Sequence, residues 1–302
     1  AQPGRVPLAT RHGVLAGTVI RAVRAPYRRV LAIPLAEFTR HMVIVGATGT
    51  GKTTLMIRLW AGWTRAARRA GGPRPLLVVI DAKGGHDSRA KAAQARAALA
   101  AAGCTRFATW PDVPLNMWDI GPRELAVLLH QLIDHGEGNA AYYADISQAV
   151  ITLAVHAPGG PPRSSSDFLA RLSPGWLERA YAAGRPAELS RVTGAKPHLG
   201  DIAMRYTVLL DRLGHSLDGR ARLADADAWY CVLEGTAEPS VAEAQAMALT
   251  ELVARAATNG PRRAILLAAD DYSAVSRRVP LSNLYERGRS LGLGVQVSAQ
   301  SW

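Results

Sequence analysis

Short apolar runs alternate with helix-forming stretches along much of the chain. Continuous apolar segments of strand length lie at residues 42–45, 76–80, 229–233 and 264–269, and a further strand-like segment that contains Gln296 and Ser298 lies at 294–299. Apolar runs without polar alternation are typical of strands buried on both faces of a parallel sheet. Because helical sequence separates these runs, the pattern predicts an α/β fold with a parallel, doubly wound sheet.

Weaker elements complete this α/β core. Two strand-like pieces, 14–20 and 29–33, precede the first apolar run, and a short strand is expected near Phe107. Helices are expected at 54–70, 88–102, 240–257 and 281–290. Ser240 and Glu243 have the spacing of a capping box, which predicts that the third of these helices is capped by Ser240.

The alternation of strands and helices stops between residues 121 and 225. Leucines and an isoleucine recur at helical spacing from Leu125 to Ile133, and residues 142–156 repeat the pattern. A loop rich in proline, glycine and serine follows at 158–166, and further helical sequence continues to about residue 219. We therefore expect three parts: a first core segment at 1–120, an all-α insert at 121–225, and a second core segment at 226–302 that is truncated at its C-terminus.

The first apolar run of the core leads directly into a glycine-rich loop of the form G-x-x-x-x-G-K-[ST]. The loop and the start of the next helix comprise Gly46, Ala47, Thr48, Gly49, Thr50, Gly51, Lys52, Thr53 and Thr54. Glycines let successive backbone N–H groups point at phosphate oxygens, and the following helix adds the positive end of its dipole. In such a loop Lys52 reaches the β- and γ-phosphates and the Thr53 hydroxyl binds Mg²⁺. The alternative is a chance match, but the strand before the loop and the helical sequence after it favour a site for ATP and Mg²⁺.

Positive charge is concentrated in the part of the chain that contains this loop. The net charge is +12, and residues 1–120 hold 18 basic and 5 acidic residues, a net +13. Residues 121–225 hold 11 of each kind, and residues 226–302 hold 7 basic and 8 acidic residues. The distribution favours a polyanionic partner such as DNA. The alternative is a compositional bias, because almost all of the basic residues are arginine.

The remaining composition excludes several classes of protein. With 302 residues, 48% hydrophobic and 20% charged, the chain has an ordinary globular composition. Two distant cysteines argue against a disulfide framework, and we expect a reducing compartment. No apolar run approaches the ~18 residues of a spanning helix. The chain starts with Ala1, so we expect a soluble piece of a longer protein whose membrane anchor could lie outside it.

Two strand ends offer the second carboxylate that a phosphate-loop enzyme needs for its metal. Asp81 ends the run Leu-Leu-Val-Val-Ile and precedes Ala-Lys-Gly-Gly, whereas Asp270 ends Ile-Leu-Leu-Ala-Ala and is followed by Asp271. Because only the second site has two adjacent carboxylates, we assign Asp270 to Mg²⁺ and Asp271 to the attacking water. Asp81 and Lys83 are then expected in the same crevice, with loop capping as the alternative for Asp81.

Three further polar residues are candidates for the chemistry. Gln300 follows the strand at 294–299 and could sense the γ-phosphate or the attacking water, although it could also be a surface amide. Arg289 lies in Glu-Arg-Gly-Arg-Ser-Leu-Gly, and Arg40 lies just before the strand of the phosphate loop. An arginine supplied by a neighbouring subunit can stabilise charge on a transferring phosphoryl group. Sequence alone favours the interpretation that both are surface arginines.

Taken in order, these segments resemble the type IV coupling proteins of conjugation, in the FtsK/HerA-like branch of RecA-fold motors. The resemblance is carried by Gly-Ala-Thr-Gly-Thr-Gly-Lys-Thr-Thr, Asp-Ala-Lys-Gly-Gly, Pro-Leu-Asn-Met-Trp-Asp before the helical insert, Asp270-Asp271, and Gly-Arg-Ser-Leu-Gly through Ser-Ala-Gln-Ser. It implies a RecA-like ATPase that forms a hexameric ring at the cytoplasmic face of the bacterial cell membrane. Such a ring would pass DNA, with a bound relaxase, to a secretion channel.

Residue by residue, the resemblance implies that Lys52, Thr53 and Asp270 are the Walker residues and that Gln300 matches the glutamine motif. Arg289 and Arg40 fall where the family places candidate arginines that act on a neighbouring subunit. The chain departs from the family at Asp271, where glutamate is usual, and it lacks a strand expected beyond Gln300. Two other hypotheses therefore stay open: an FtsK-like ATPase that moves protein, and a nucleotide-gated scaffold that hydrolyses ATP weakly.

Overall fold

The computed structural model describes residues 9–10, 13–18, 30–135, 140–182, 186–260, 262–272, 279 and 281–300. The chain divides into two compact units. The first comprises residues 1–111, 222–242 and 253–302, and the second comprises residues 112–221 and 243–252.

A six-stranded parallel sheet forms the centre of the first unit. Its strands are β4 (Met42–Val45), β5 (Leu76–Asp81), β6 (Phe107–Trp110), β7 (Ala228–Val232), β8 (Ile265–Asp270) and β9 (Leu293–Ala299). They lie in the order β4-β9-β8-β5-β7-β6. The two central strands β5 and β8 are buried at every position, as their unbroken apolar runs predict. The predicted α/β fold with a parallel RecA-like sheet is confirmed.

Helices α1 (Lys52–Arg69), α2 (Ser88–Ala101), α8 (Pro239–Asn259) and α9 (Leu281–Arg287) connect these strands. Helix α1 buries Met56, Leu59, Trp60 and Trp63 in the main hydrophobic core, together with alternate residues of the sheet. The Trp60 indole donates a hydrogen bond to the Gln296 amide oxygen at 2.6 Å, so this buried polar pair is satisfied within the core.

The predicted capping box of α8 is wrong. The helix begins at Pro239 with Glu238 as its N-cap, and Ser240 lies inside the first turn. Proline suits the first helical position because its φ is already helical and its missing N–H would have no partner there. The helix therefore starts before the serine that could have capped it.

A second, antiparallel sheet precedes the phosphate loop in the first unit. It consists of β1 (Ala9–Thr10), β2 (Gly13–Thr18) and β3 (Val30–Ile33), in that order. The predicted strands at 14–20 and 29–33 correspond to β2 and β3, although residues 19, 20 and 29 lie outside the described residues. A 3-10 helix, Leu35–Arg40, then leads into β4.

The second unit contains helices α3 (Pro122–Leu132), α4 (Ala140–Val155), α5 (Ser165–Arg171), α6 (Pro174–Tyr181) and α7 (Pro186–Leu213). Buried tyrosines tie these helices together, because Tyr206 donates to the Leu129 carbonyl at 2.7 Å and Tyr181 to the Leu153 carbonyl at 2.8 Å. Arg171 is buried and pairs with Asp167 at 2.9 Å. In the described part of the chain, every helix is too short or too polar to cross a bilayer.

Candidate nucleotide-binding site

The glycine-rich loop joins β4 to α1 at the carboxyl edge of the parallel sheet. Gly49 and Gly51 have φ values of +79° and +85°, which glycine adopts without strain. The loop is tied to the sheet by the Gly46 N–H, which donates to the Ala299 carbonyl of β9 at 3.2 Å. Helix α1 begins directly after Gly51, so its first N–H groups face the concave side of the loop. The geometry suits an anion such as a polyphosphate.

The Lys52 ammonium folds back over this loop. Its Nζ donates to the Gly46 carbonyl at 2.6 Å and to the Ala47 carbonyl at 3.1 Å. Carbonyl oxygens are weaker partners for an ammonium than phosphate oxygens, since only the latter carry a formal charge. The lysine is thus held where a phosphate bound in the loop would compete for its N–H donors.

The structure brings Thr53 and the predicted acidic pair together. The Thr53 hydroxyl donates to Asp270 Oδ2 at 2.8 Å across 217 residues of sequence. Asp270 Oδ1 accepts from Ser298 Oγ at 2.6 Å and from the Asp271 N–H at 3.1 Å. Asp271 adopts a left-handed φ of +53°, and its N–H also donates to Ser298 Oγ at 2.9 Å. One short network therefore links the start of α1 to the ends of β8 and β9.

These groups fit a magnesium nucleotide. Mg²⁺ prefers oxygen ligands and is often held by one or two protein groups together with phosphate oxygens and water. The Thr53 hydroxyl and the buried Asp270 carboxylate supply two such oxygens within hydrogen-bonding distance of each other. The loop amides and Lys52 supply the complementary donors for the phosphates.

Asp81 lies beside Asp270 because β5 and β8 are paired with these two residues in register. Its carboxylate accepts from the Gly84 N–H at 3.2 Å and from the Tyr230 hydroxyl at 3.2 Å, and Lys91 Nζ lies 3.8 Å away. Burial raises the pKa of Tyr230, and the nearby Asp81 and Asp270 charges raise it further. The loop-capping contact considered as the alternative for Asp81 is thus present, and the Lys83 side chain is exposed.

Gln300 follows β9, the strand that lies between β4 and β8 in the sheet. This order places Gln300 between the glycine-rich loop and the acidic pair, and the residue is exposed. Arg40 and Arg289 lie at the opposite, amino edge of the same strands, where Arg40 pairs with Glu37 at 3.4 Å. Strands β4 and β9 separate the two edges by about 10 to 20 Å. Neither arginine therefore approaches the glycine-rich loop of its own chain.

His41 joins the two segments that carry these arginines. Its backbone has a φ of +66°, and its ring Nδ1 accepts from the Val295 N–H at 3.2 Å. The opposite ring nitrogen, Nε2, lies 2.9 Å from the Tyr285 carbonyl, to which it can donate only as the N–H tautomer. The His41 ring thus connects the turn after Arg40 to α9 and β9.

Sequence reasoning missed Ser298, Tyr230 and His41. Each acts through a neighbour distant in sequence, and its role depends on strand adjacency that local patterns do not reveal. Ser298 lies only two residues before Gln300, and the alternation of side chains along a strand was the available signal that the two residues share one face.

Comparisons with known proteins agree with this fold. Residues 29–157 match the DUF87 family, described as helicase HerA, central domain. No curated protein sequence gave a significant match. Solved structures of two proteins, TrwB and VirB4, are similar over nearly the whole chain. The plasmid coupling protein TrwB in complex with ADP and Mg²⁺ is 16% identical, with a TM-score of 0.56, and the alignment covers 97% of this chain and 68% of TrwB.

VirB4 of Thermoanaerobacter pseudethanolicus is 13% identical, with a TM-score of 0.59 and coverage of 96% of this chain and 77% of VirB4. TrwB with the non-hydrolysable ATP analogue ADPNP aligns with a TM-score of 0.54, 15% identity, and coverage of 97% of this chain and 68% of that one. The chain thus carries a HerA-type segment and has the fold of the coupling protein TrwB and of VirB4.

Proposed function

We propose that the protein is an ATP-hydrolysing motor that moves DNA, with its bound relaxase, toward a type IV secretion or conjugation channel. The observation that carries the proposal is the 2.8 Å hydrogen bond between Thr53 and Asp270, which joins the glycine-rich loop to the acidic pair. A Walker A hydroxyl and a Walker B carboxylate in contact are the arrangement that P-loop ATPases use to hold Mg²⁺. The HerA match and the TrwB-like fold support the motor class.

Each residue of the site has a chemical role in this proposal. Lys52 and the loop amides hold the β- and γ-phosphates, and Thr53 and Asp270 hold Mg²⁺, which neutralises phosphate charge when bound. Asp271 orients the attacking water and accepts its proton. Gln300, between the loop and the acidic pair, donates to the γ-phosphate or to that water.

The proposal requires more than one copy of the chain. Arg40 and Arg289 lie at the amino edge of the sheet, so they can reach a γ-phosphate only in a neighbouring subunit. We propose a hexameric ring in which one of them stabilises the charge on the transferring phosphoryl group. The ring would lie at the cytoplasmic face of the bacterial membrane and would work with secretion-channel proteins.

Charge supports DNA as the substrate. The concentration of positive charge in residues 1–120 suits the phosphate backbone, which supplies most sequence-independent binding. We expect weak sequence preference and steep salt dependence, with log K falling by about 0.9 per unit of log salt for each phosphate neutralised on duplex DNA. Affinity that hardly changes between roughly 50 and 200 mM salt would remove this support.

The test is steady-state ATP hydrolysis with no DNA, with single-stranded DNA and with duplex DNA, after the oligomeric state has been measured. We expect DNA-stimulated turnover that Lys52→Ala abolishes, because its ammonium holds the phosphates. Lys196→Ala is the matched control, since Lys196 pairs with Glu178 in the helical unit and should not matter. Lys52-dependent turnover that DNA leaves unchanged would contradict the DNA-moving role while preserving the ATPase.

An exposed apolar patch favours one alternative, in which the cargo is protein. Tyr142 and Tyr143 of α4 and Met204 and Val208 of α7 are 62%, 53%, 65% and 49% exposed. A cavity of about 420 Å³ lies among these helices, lined in part by Tyr143, Met204 and Tyr206. Such patches often bind proteins. Retention of secreted proteins by the wild type but not by Tyr142→Ser/Met204→Ser, with ATPase activity indifferent to DNA, would favour this alternative.

A further inference from the structure

Three arginines and one aspartate lie side by side at the amino edge of the parallel sheet. Arg263 precedes β8, Arg74 precedes β5, Asp227 precedes β7 and Arg106 precedes β6. These four strands are consecutive neighbours in the sheet, in the order β8-β5-β7-β6. Arg68, from the last turn of α1, approaches the same place. We name Arg68, Arg74, Arg106 and Arg263 the amino-edge arginine cluster.

Asp227 organises this cluster. Its side chain is only 2% exposed, and its Oδ1 accepts from Arg106 Nη2 at 2.8 Å and from Arg106 Nε at 3.2 Å. Its Oδ2 accepts from the Thr105 hydroxyl at 3.2 Å and lies 3.9 Å from both Arg68 Nη1 and Arg74 Nη1. Arg106 is the hydrogen-bonded partner of the carboxylate, whereas Arg68 and Arg74 make only longer contacts.

One carboxylate cannot balance four guanidinium groups. The cluster and Asp227 together carry a net charge of +3, because arginine stays protonated in proteins. Arg68 Nη1 and Arg263 Nε are buried and have no hydrogen-bond partner among the described residues. Burial lowers the pKa of Arg263, the nearby Arg106 charge lowers it further, and Asp227 opposes both effects. Asp227 therefore leaves most of the positive charge of this cluster unbalanced.

The cluster is open to solvent and extended. The side chains of Arg68, Arg74 and Arg106 are 31%, 54% and 44% exposed. Neighbouring strands lie about 4.8 Å apart, so the strand starts from Arg263 to Arg106 span about 14 Å. A row of that length suits several anionic groups on one polymer better than a single small anion.

We propose that the amino-edge arginine cluster binds consecutive phosphates of the DNA backbone. Guanidinium groups match phosphate oxygens with two parallel hydrogen bonds, and their weaker hydration makes arginine well suited to this contact. Asp227 fixes Arg106 and aligns the others without neutralising them, so the row keeps its surplus charge. Phosphate contacts carry no sequence information, which suits a surface that moves along DNA of any sequence. This inference rests on the proposed function, since it names a surface by which the motor holds DNA.

The test measures DNA affinity as a function of salt for the double variant Arg68→Gln/Arg74→Gln. Both residues make only 3.9 Å contacts with Asp227, so the hydrogen-bonded Arg106–Asp227 pair remains to hold the fold. The matched control is Arg123→Gln/Arg205→Gln, which removes the same charge from exposed positions of the helical unit. Anisotropy of labelled duplex and single-stranded DNA gives the dissociation constants, and thermal midpoints report on folding.

Loss of two phosphate contacts should reduce the slope of log K against log salt by about 1.8. The affinity ratio of wild type to variant should then shrink about 12-fold between roughly 50 and 200 mM salt, while the control keeps the wild-type slope. A folded double variant with the wild-type slope overturns the inference but leaves the motor intact. If poly-glutamate competes as well as unlabelled DNA at equal charge, the partner of the cluster is instead an acidic protein. A wild type that binds no DNA overturns both this inference and the proposed DNA-moving function.

Discussion

Replacing Ser298 by alanine tests how the acidic pair is held in place. Ser298 is fully buried, and its hydroxyl donates to Asp270 Oδ1 at 2.6 Å while accepting the Asp271 N–H at 2.9 Å. The substitution removes one charge-assisted hydrogen bond from the buried Asp270 carboxylate and one acceptor from the partly buried Asp271 amide. Asp270 then keeps the Thr53 hydroxyl and the Asp271 N–H as its partners.

The magnitude follows from the kind of bond that is lost. A hydrogen bond to a charged group contributes about 1.5–3 kcal/mol, and 1.4 kcal/mol corresponds to tenfold in an equilibrium constant. Asp270 should therefore hold its metal-binding orientation about 10- to 100-fold less well, the range found when partners of metal ligands are removed. Nucleotide affinity in the absence of Mg²⁺ should stay unchanged, because Lys52 and the glycine-rich loop are intact.

The assay is binding of a fluorescent ATP analogue across a series of Mg²⁺ concentrations. The half-saturating Mg²⁺ concentration should rise by about 10- to 100-fold in Ser298→Ala. Ser88→Ala is the control, because the Ser88 hydroxyl is equally buried but has no hydrogen-bond partner in the part of the chain that the structure describes. A folded Ser298→Ala protein with the wild-type Mg²⁺ dependence would refute the reasoning that this network orients Asp270.

Three further predictions concern Asp227, the loop after β5, and Asp271. Burial alone would raise the pKa of Asp227, but hydrogen bonds and charge from Arg106 hold this pKa below its usual 3.8. The ionised carboxylate therefore stabilises the folded state above about pH 3.8, and this stabilisation is lost as the pH falls through the lower pKa of the folded state. Chemical denaturation should show that Asp227→Asn destabilises the protein at neutral pH and removes this part of the acid sensitivity. Gly84→Ala should lower the thermal midpoint much more than Gly85→Ala does. Both glycines have a positive φ, but a Cβ at position 84 would lie 2.0 Å from the Leu233 carbonyl oxygen, whereas the nearest atom to a Cβ at position 85 is 4.0 Å away. Steady-state turnover of Asp271→Glu tests the weakly hydrolysing scaffold: a large gain supports it, because the longer side chain would reach the water better, and an unchanged rate counts against it.

Much of the central sheet could be predicted from the sequence because strands such as β5 and β8 are unbroken apolar runs up to their terminal aspartates. The glycine-rich loop and Asp270 were equally accessible, since their spacing and strand-end positions are local properties of the chain. The same local reasoning failed at α8, where Pro239 took the first helical position and Ser240 fell within the helix.

Contacts between strands that are distant in sequence could not be predicted. Ser298 reaches Asp270 only because β9 lies next to β8, and Tyr230 reaches Asp81 only because β7 lies next to β5. Asp227 likewise shows its importance only when strand order brings Arg106 and Arg74 beside it. Local periodicity constrains which segments are strands but leaves their order open, and strand order determines these contacts.

Strand β9 has a consequence for timing within a ring of copies. It runs from Arg289, near its amino end, to Gln300, just past its carboxyl end, and it is anchored on both sides by β4 and β8. A paired strand in the interior of a sheet is stiff along its length, so a displacement at one end moves the other. In the proposed ring, a displacement of Gln300 in one subunit would therefore also move Arg289, the candidate arginine for the next subunit. Successive hydrolysis around such a ring would then need no separate signalling element, because each β9 strand would couple two neighbouring ATP sites mechanically.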